Sequence, residues 1–356
     1  MYSFDASYTD QTLELLAFSE EISNQPTITE FTKVDLTGGQ EIEGAKMQIL
    51  DQEGKVVEEW VSKKEAHVVY ALAPGEYILH EEQAPTEQGY VRAEDVKFVV
   101  EETGDVQKVK MEDDHTKVSI SKTDITDGKE IEGAKLQILD QDGEVVESWT
   151  TGEEHLIEYL PVGTYTLHEE AAVDGYIVAN DVEFTVEETG EIQKVKMEDE
   201  RAMGQLVIVK TDTDSKAALE GVEFVLLEKE TGKEVGRLKT GKDGKAVSEL
   251  LPIGTYENGV FKEPITYVLK ETATLKGYEK TEEEWEIVFT YQNDKTPVIE
   301  VVKEIQNKKI PETPGTVKPG PKTGDDTNWF LPLLALGVSA GMVAGLLYYR
   351  KRHKKA

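Results

Sequence analysis

GGQEIEGAKMQILDQEG at residues 38–54 returns almost unchanged as DGKEIEGAKLQILDQDG at residues 127–143. A second pair, VEETGDVQKVKMED at 100–113 and VEETGEIQKVKMED at 186–199, recurs at nearly the same offset. The repeating unit is therefore about ninety residues long, which is a whole domain and longer than the unit of a solenoid. The sequence predicts tandem copies of one domain.

A third copy keeps the same frame with a more diverged sequence. Residues 207–212 (VIVKTD) correspond to 119–124 (SISKTD), and residues 219–224 (LEGVEF) correspond to 131–136 (IEGAKL). Residues 1–28 are too short for a domain, and we interpret them as the C-terminal remnant of a preceding repeat. The predicted repeats are residues 29–114, 115–201 and 202–310.

The hydrophobic pattern within each repeat is typical of β-strands. Residues 118–122 (VSISK) alternate apolar and polar, and the Asp-Gly pairs at 142–143 and 243–244 predict hairpin turns. A Leu-Pro-x-Gly-Thr-Tyr segment at 160–165 and again at 251–256 predicts a turn that leads into a strand. No repeat carries the pattern of a long amphipathic helix. We therefore predict an all-β fold of tandem immunoglobulin-like β-sandwiches.

Three polar positions recur in every repeat. An early strand carries a lysine, a middle strand carries the glutamate of a Tyr-x-Leu-x-Glu segment, and the last strand ends in an acid or an amide. The sets are Lys33, Glu81 and Asp113 in the first repeat, Lys122, Glu169 and Asp199 in the second, and Lys210, Glu271 and Asn307 in the third.

The parity of these positions directs their side chains into the domain interior. Lys122 is in step with Ile120, and Asp199 is in step with Met197, so each belongs to the buried face of its strand. Buried charge is costly unless it is paired or neutralised, and burial shifts a lysine toward the neutral amine and a glutamate toward the neutral acid. A neutral amine held beside an acyl group can attack it, while the acid polarises the carbonyl and moves the proton.

The predicted product is an isopeptide bond between the first and last strands of each repeat. Water leaves when the acyl residue is Asp, and ammonia leaves when it is Asn. The chain has no cysteine, so no disulfide can stabilise these small domains. The alternative is a buried ion pair that does not react.

These residues resemble those of the Cna-B/SpaA-like (prealbumin-like) domains of Gram-positive pilins and surface adhesins. The family's Tyr-x-Leu-x-Glu-x-x-Ala-Pro-x-Gly-Tyr box is best kept at residues 267–278 and 77–90. The resemblance implies prealbumin-like sandwiches in which the lysine joins the Asn or Asp with help from the box glutamate. The first two repeats carry Asp where Asn is commoner, and Val173 replaces the box proline in the second.

The C-terminal part of the chain predicts an anchor. Residues 311–319 are proline-rich and predict an extended spacer, residues 320–324 read GPKTG, residues 329–349 are apolar without a charge, and residues 350–356 are basic. At about 1.5 Å rise per residue, a helix over the apolar segment spans a bilayer core of roughly 30 Å. The basic tail predicts a cytoplasmic C terminus, which places the repeats outside the cell.

This order of motif, apolar segment and basic tail resembles the sortase sorting signal of Gram-positive surface proteins. The resemblance implies sortase as a partner, recognition through Pro321, Lys322, Thr323 and Gly324, cleavage after Thr323, and attachment to peptidoglycan. Gly320 stands where the commonest version has Leu. A plain single-pass membrane anchor is the alternative. Because Met1 begins no signal peptide, the exported protein is expected to start further upstream.

Composition and motif spacing argue against several functions. The formal net charge of −32, without a basic patch, argues against a nucleic-acid partner. No His or Cys spacing predicts a metal site, and no motif indicates a cofactor. Adjacent acidic residues on a strand point to opposite faces and cannot flank one substrate bond, so we predict no enzyme for external substrates.

The predicted function is a cell-wall-anchored stalk that holds a distal adhesive region away from the cell. A host or cell-surface ligand would bind the missing N-terminal region. The alternative is a subunit of a sortase-polymerised pilus, although residues 1–310 contain no Tyr-Pro-Lys-like motif.

Overall fold

The secondary structure of this chain is β throughout the part described by the computed structural model, which covers residues 8–9, 12–13 and 25–311. The one helical element in that part is a short 3-10 turn at Thr86–Gln88. The all-β prediction is thus confirmed. No helix within the described residues is long and apolar enough to cross a membrane. The predicted sorting motif at 320–324, the apolar segment and the basic tail lie outside the described residues.

A two-strand antiparallel hairpin is the first described element, with strands β1 (Tyr8–Thr9) and β2 (Thr12–Leu13). Most of the predicted remnant over residues 1–28 lies outside the described residues. Ile28, at its end, already belongs to the first strand of the next repeat.

The first repeat is a sandwich of two sheets. One sheet has the order β6-β3-β9 and the other β5-β4-β7-β8, and the first and last strands, β3 and β9, run parallel to each other. The strands are β3 (Ile28–Asp35), β4 (Lys46–Leu50), β5 (Val56–Val61), β6 (His67–Tyr70), β7 (Gly75–Gln83), β8 (Val96–Val100) and β9 (Val106–Asp113).

The second repeat has the same architecture with one additional short strand. Its sheets have the orders β13-β10-β17-β15 and β12-β11-β14-β16, and β10 runs parallel to β17. The strands are β10 (Lys117–Asp124), β11 (Lys135–Leu139), β12 (Val145–Thr150), β13 (His155–Glu158), β14 (Gly163–Ala171), β15 (Tyr176–Ile177), β16 (Val182–Val186) and β17 (Ile192–Arg201).

The third repeat keeps both sheets and inserts a hairpin. One sheet is formed by β21, β22 and β27 around β18, the other has the order β20-β19-β25-β26, and β23 pairs with β24 in the insert. The strands are β18 (Met203–Asp212), β19 (Glu223–Glu228), β20 (Glu234–Lys239), β21 (Lys245–Val247), β22 (Leu251–Pro252), β23 (Gly254–Glu257), β24 (Val260–Pro264), β25 (Thr266–Ala273), β26 (Glu284–Val288) and β27 (Val298–Asn307).

One turn prediction is wrong and one needs refinement. The Asp243–Gly244 turn does not close a hairpin, because β20 pairs with β19 whereas β21 pairs with β18 in the other sheet. The predicted hairpin at Asp142–Gly143 does join paired strands, β11 and β12. In the third repeat the Gly-Thr-Tyr segment enters the inserted hairpin at β23, so the strand that carries Glu271 begins only at Thr266.

The core of each repeat lies between its two sheets. In the first repeat, Phe31 and Met111 from one sheet pack with Met47, Ile49 and Leu79 from the other. The strands alternate buried and less buried residues, as in the pattern of β18, because neighbouring side chains point to opposite faces. The space between the sheets also receives the three polar positions of each repeat.

Each junction between repeats is filled by a tyrosine of the following repeat. Tyr159 donates a hydrogen bond to Asp35 Oδ2 at 2.8 Å, and its ring stacks on His115 with 3.9 Å between centroids. At the next junction the guanidinium of Arg201 lies 4.1 Å from the ring centroid of Tyr256 and donates a hydrogen bond to Asp124. Consecutive repeats therefore meet through specific polar and aromatic contacts.

Candidate cross-linking sites

The parallel pairing of first and last strands positions each lysine near its acyl residue. Lys33 lies opposite Met111, Lys122 opposite Met197, and Lys210 opposite Ile305. In each repeat the Asp or Asn lies two residues beyond this partner. Residues two apart on a strand share a face, so the lysine reaches its acyl group diagonally across the ladder.

The glutamate of each site comes from the facing sheet. Glu81 on β7 lies opposite Met47, Glu169 on β14 opposite Leu136, and Glu271 on β25 opposite Phe224. In every repeat the pairing of these two strands shifts register directly beside the glutamate and its partner residue. The three groups therefore meet between the two sheets, and the same local geometry is built three times.

In the first repeat the three predicted residues are in direct contact. Lys33 Nζ donates a hydrogen bond to Asp113 Oδ1 and lies 2.9 Å from Glu81 Oε2. The backbone N–H of Ala93 donates to the same glutamate oxygen at 2.7 Å. All three reacting groups are buried, with Lys33 only 3% exposed.

The second repeat reproduces this arrangement atom by atom. Lys122 Nζ donates to Asp199 Oδ1 and lies 2.9 Å from Glu169 Oε2. The N–H of Ala179 donates to the glutamate at 2.6 Å. The agreement of two independent copies indicates that the geometry follows from the repeat sequence.

The third repeat contains an amide where the other two contain an acid. Lys210 Nζ is 2.5 Å from Asn307 Oδ1 and 3.0 Å from Glu271 Oε2. Asn307 Nδ2 donates to Glu271 Oε1 at 2.7 Å and to Thr274 Oγ1 at 2.7 Å. Every polar atom of the amide side chain thus has a partner.

Burial shifts the pKa of Asp113, Asp199 and Lys210 in the direction that favours the neutral form. Burial raises the pKa of Asp113 to about 7 and that of Asp199 to about 7; the adjacent lysine opposes the shift and the adjacent glutamate adds to it. Burial lowers the pKa of Lys210, against the opposing effect of Glu271. The raised pKa favours the neutral acid form of both aspartates.

A raised aspartate pKa has a chemical consequence. A neutral carboxylic acid is a better electrophile than a carboxylate, and an amide is neutral at every ordinary pH. Asp113 Oδ2 and Glu81 Oε1 have no hydrogen-bond partner in the described part of the chain unless a proton is shared between the two carboxyl groups. The acid proton would then occupy the place that an amide hydrogen of Asn307 occupies in the third repeat.

Some residues at these sites and junctions were not identified from the sequence. Backbone donors such as Ala93 carry no side-chain signal. Thr274 could have been found by comparing the position three residues after the glutamate in all three repeats. The recurrence of an Asp at the end of each first strand, seen in Asp35 and Asp124, could have indicated the junctions.

Comparisons with known proteins place this architecture among known families. The family model for the SpaA prealbumin-like fold domain matches residues 27–115, 116–201 and 204–264. The third match ends at the inserted hairpin, before β25. A search of curated proteins found no match.

Several solved structures are similar to this chain. The TIE protein of Bacillus anthracis is 28% identical with a TM-score of 0.54, over 80% of this chain and 51% of that one. BcpA, the major pilin subunit of Bacillus cereus, is 15% identical with a TM-score of 0.45, over 80% of this chain and 100% of that one. A streptococcal ancillary pilin is 16% identical with a TM-score of 0.33, over 81% of this chain and 100% of that one. This chain spans about half the length of the TIE protein chain.

The fold and sites together define a tandem array of β-sandwiches, each with a buried triad of lysine, glutamate and Asp or Asn. Three matches of one family model cover more than half of the chain. The chain belongs to the SpaA prealbumin-like fold family.

Proposed function

We propose that this chain is a stalk segment of a Gram-positive surface protein whose repeats are each closed by an intramolecular isopeptide bond. The observation that carries the proposal is the threefold recurrence of a buried lysine in contact with an acyl group and a glutamate. An unreacted buried triad would be an expensive way to stabilise a small domain, because desolvation of the charges offsets most of their attraction.

The reaction balances within each repeat. The neutral lysine amine forms a bond to the side-chain carbonyl carbon, and the glutamate transfers a proton from the attacking nitrogen to the leaving group. Lys33 joins Asp113 and Lys122 joins Asp199 with loss of water, while Lys210 joins Asn307 with loss of ammonia. Glu81, Glu169 and Glu271 are regenerated. The chemistry is intramolecular and needs no cofactor.

Intact-mass spectrometry tests this proposal directly. We expect a deficit of two waters and one ammonia from the sequence mass, with each cross-linked peptide recovered after digestion. The E81Q/E169Q/E271Q variant should show the full mass, whereas E82Q/E170Q, at exposed neighbouring positions, should retain the deficit. A full unmodified mass for the folded wild-type protein would refute the cross-linking.

The anchoring part of the proposal rests on residues 320–356 of the sequence. Sortase would cut between Thr323 and Gly324 and join the Thr323 carboxyl to peptidoglycan, leaving the repeats extracellular and an adhesive region distal to them. Muralytic digestion of an expressing Gram-positive cell should release wild-type protein, while T323A should remain with the membrane fraction. A single band in that extract indicates a monomeric adhesin, and a high-mass ladder indicates the pilus subunit.

A further inference from the structure

The third repeat holds its acyl group by a contact that the other two lack. The two N–H groups of the Asn307 amide are donated to Glu271 Oε1 and Thr274 Oγ1, each at 2.7 Å. The carbonyl oxygen of the same amide accepts from Lys210 Nζ at 2.5 Å. These three hydrogen bonds fix the orientation of the amide. A half-turn about the Cβ–Cγ bond would exchange the oxygen and the nitrogen and would break all three hydrogen bonds.

The residue at the position of Thr274 differs between repeats, and it changes together with the acyl residue. Thr274 follows its glutamate by three residues, and the corresponding residues are Ala84 and Ala172 in the two repeats that use Asp. A methyl group accepts no hydrogen bond. Asp113 Oδ2 and Asp199 Oδ2 accordingly find no acceptor or donor at this position, and within the described residues a proton shared with the glutamate is what could pair them. The chain thus combines threonine with the amide and alanine with the acid.

Physical chemistry gives a reason for both combinations. Toward an amide nitrogen, the hydroxyl oxygen is an acceptor that fixes the nitrogen on the glutamate side. Toward a carboxyl group, the same hydroxyl can donate instead, and a donor to a carboxylate stabilises its charged form. The charged form is the poorer electrophile, so a hydroxyl would hinder an aspartate and help an asparagine.

We propose that Thr274 is a positioning residue that makes the third repeat specific for an amide acyl group. This inference rests on the proposed isopeptide reaction. With Thr274 in place, Asn307 Cγ faces the lysine and Nδ2 faces the glutamate. The new bond joins Lys210 Nζ to Cγ, the Cγ–Nδ2 bond breaks, and Glu271 transfers one proton from Nζ to Nδ2, which leaves as ammonia.

The test follows the reaction in the full chain after refolding. Protein kept unfolded from inclusion bodies is diluted into buffer, and the Lys210–Asn307 peptide is quantified by mass spectrometry over time. T274V, which keeps the shape and removes the acceptor, should slow ammonia loss about tenfold, the value of one hydrogen bond. T274S should restore the rate. T272V, at an exposed position two residues away, should react like wild type.

A crossed experiment separates specificity from a merely structural role. In the N307D background, where water is lost, adding T274A should speed the reaction, the opposite of its effect with asparagine. In the second repeat, A172T should slow the loss of water from Lys122–Asp199. Equal rates for T274V and wild type, or slowing in both acyl backgrounds, would overturn the proposal. A wild-type chain that never loses ammonia would instead remove the cross-linking function on which the proposal depends.

Discussion

At the scale of single residues, the three sites differ in what must be neutral before reaction. The aspartates must be protonated to be good electrophiles, and burial raises the pKa of Asp113 and of Asp199 to about 7. Asn307 needs no such proton. The lysine can transfer its own proton to the buried glutamate, a step that leaves the total number of bound protons unchanged. The cross-linking rate of the first two repeats should therefore depend on the bulk pH, and the rate of the third should not.

We expect the cross-linking rates to separate on a pH profile. Between pH 8 and pH 6 an acid with a pKa near 7 changes from mostly ionised to mostly protonated, so the Asp repeats should react about tenfold faster at pH 6. The Asn repeat should keep the same rate over this range. Refolding at each pH, followed by quantification of the three cross-linked peptides, measures all three rates in one sample. A flat profile for Lys122–Asp199 would contradict the assignment.

Removing the lysine should cost more stability than its size implies. Lys122→Met removes the proposed cross-link to Asp199, worth about 4–5 kcal/mol in the chain-entropy treatment, and also leaves the buried carboxyl groups of Glu169 and Asp199 without the lysine beside them. Denaturant unfolding of the second repeat measures this free energy. Lys194→Met on the same sheet, where the lysine side chain is 77% exposed, should change it by less than about 0.5 kcal/mol. Equal effects of the two substitutions would argue that Lys122 forms neither a cross-link nor a stabilising buried contact.

At the scale of strands, the cross-link would join the first and last elements of a repeat. Lys122 and Asp199 are 77 residues apart in sequence, yet β10 and β17 are parallel neighbours over their length. Closing so long a segment removes much of the conformational freedom of the unfolded chain, as a disulfide does. The proposed cross-link would thereby give the β-sandwich a covalent constraint without any cysteine.

Preventing this closure should lower the melting temperature of one repeat only. Closing a loop of this length is worth about 4–5 kcal/mol in the chain-entropy treatment. For a domain of about ninety residues, E169Q should therefore lower the melting temperature by roughly 20 °C. Calorimetry should show one transition moving while the others stay. E170Q, which changes the exposed neighbouring glutamate on β14, should leave all transitions in place.

At the scale of the whole molecule, the junctions determine how far the repeats can bend. Tyr159 of the second repeat donates a hydrogen bond to Asp35 of the first repeat and stacks on His115, the residue at which the second repeat begins. Its backbone φ of +62° lies in the left-handed region, which a residue with a side chain rarely adopts. Tyr256 fills the corresponding place before the third repeat, against Arg201 and Tyr176. Restrained junctions suit a stalk, because a series of rigid domains would still bend if the junctions between them were flexible.

Loosening one junction should change the shape of the molecule and spare the repeats. Y159A removes both the ring stacking and the hydrogen bond to Asp35, so small-angle scattering should show a broader distribution of overall dimensions. The melting of individual repeats should stay nearly constant, because Tyr159 lies outside the apolar core of the second repeat. Y70A, at a tyrosine that is 66% exposed, is the matched control and should scatter like wild type. Unchanged scattering by Y159A would show that other contacts hold the junction.

The sequence by itself determined the all-β class, and it predicted the three repeats and the members of each triad. It could do so because these depend on local order: strand side chains alternate with period two, and the parity of Lys122 and Asp199 assigns them to the buried face. The sequence also indicated the anchor at residues 320–356, whose placement lies outside the described residues.

Only the tertiary structure decided which sheet each strand joins and which side chains meet across the sandwich. The Asp243–Gly244 turn looks like a hairpin turn locally, but its flanking strands belong to different sheets. Thr274 is hydrogen-bonded to Asn307, which lies 33 residues away in sequence, and Tyr159 is hydrogen-bonded to Asp35, which lies 124 residues away. Such contacts depend on the arrangement of whole sheets and repeats in space, which no short-range pattern of residues encodes.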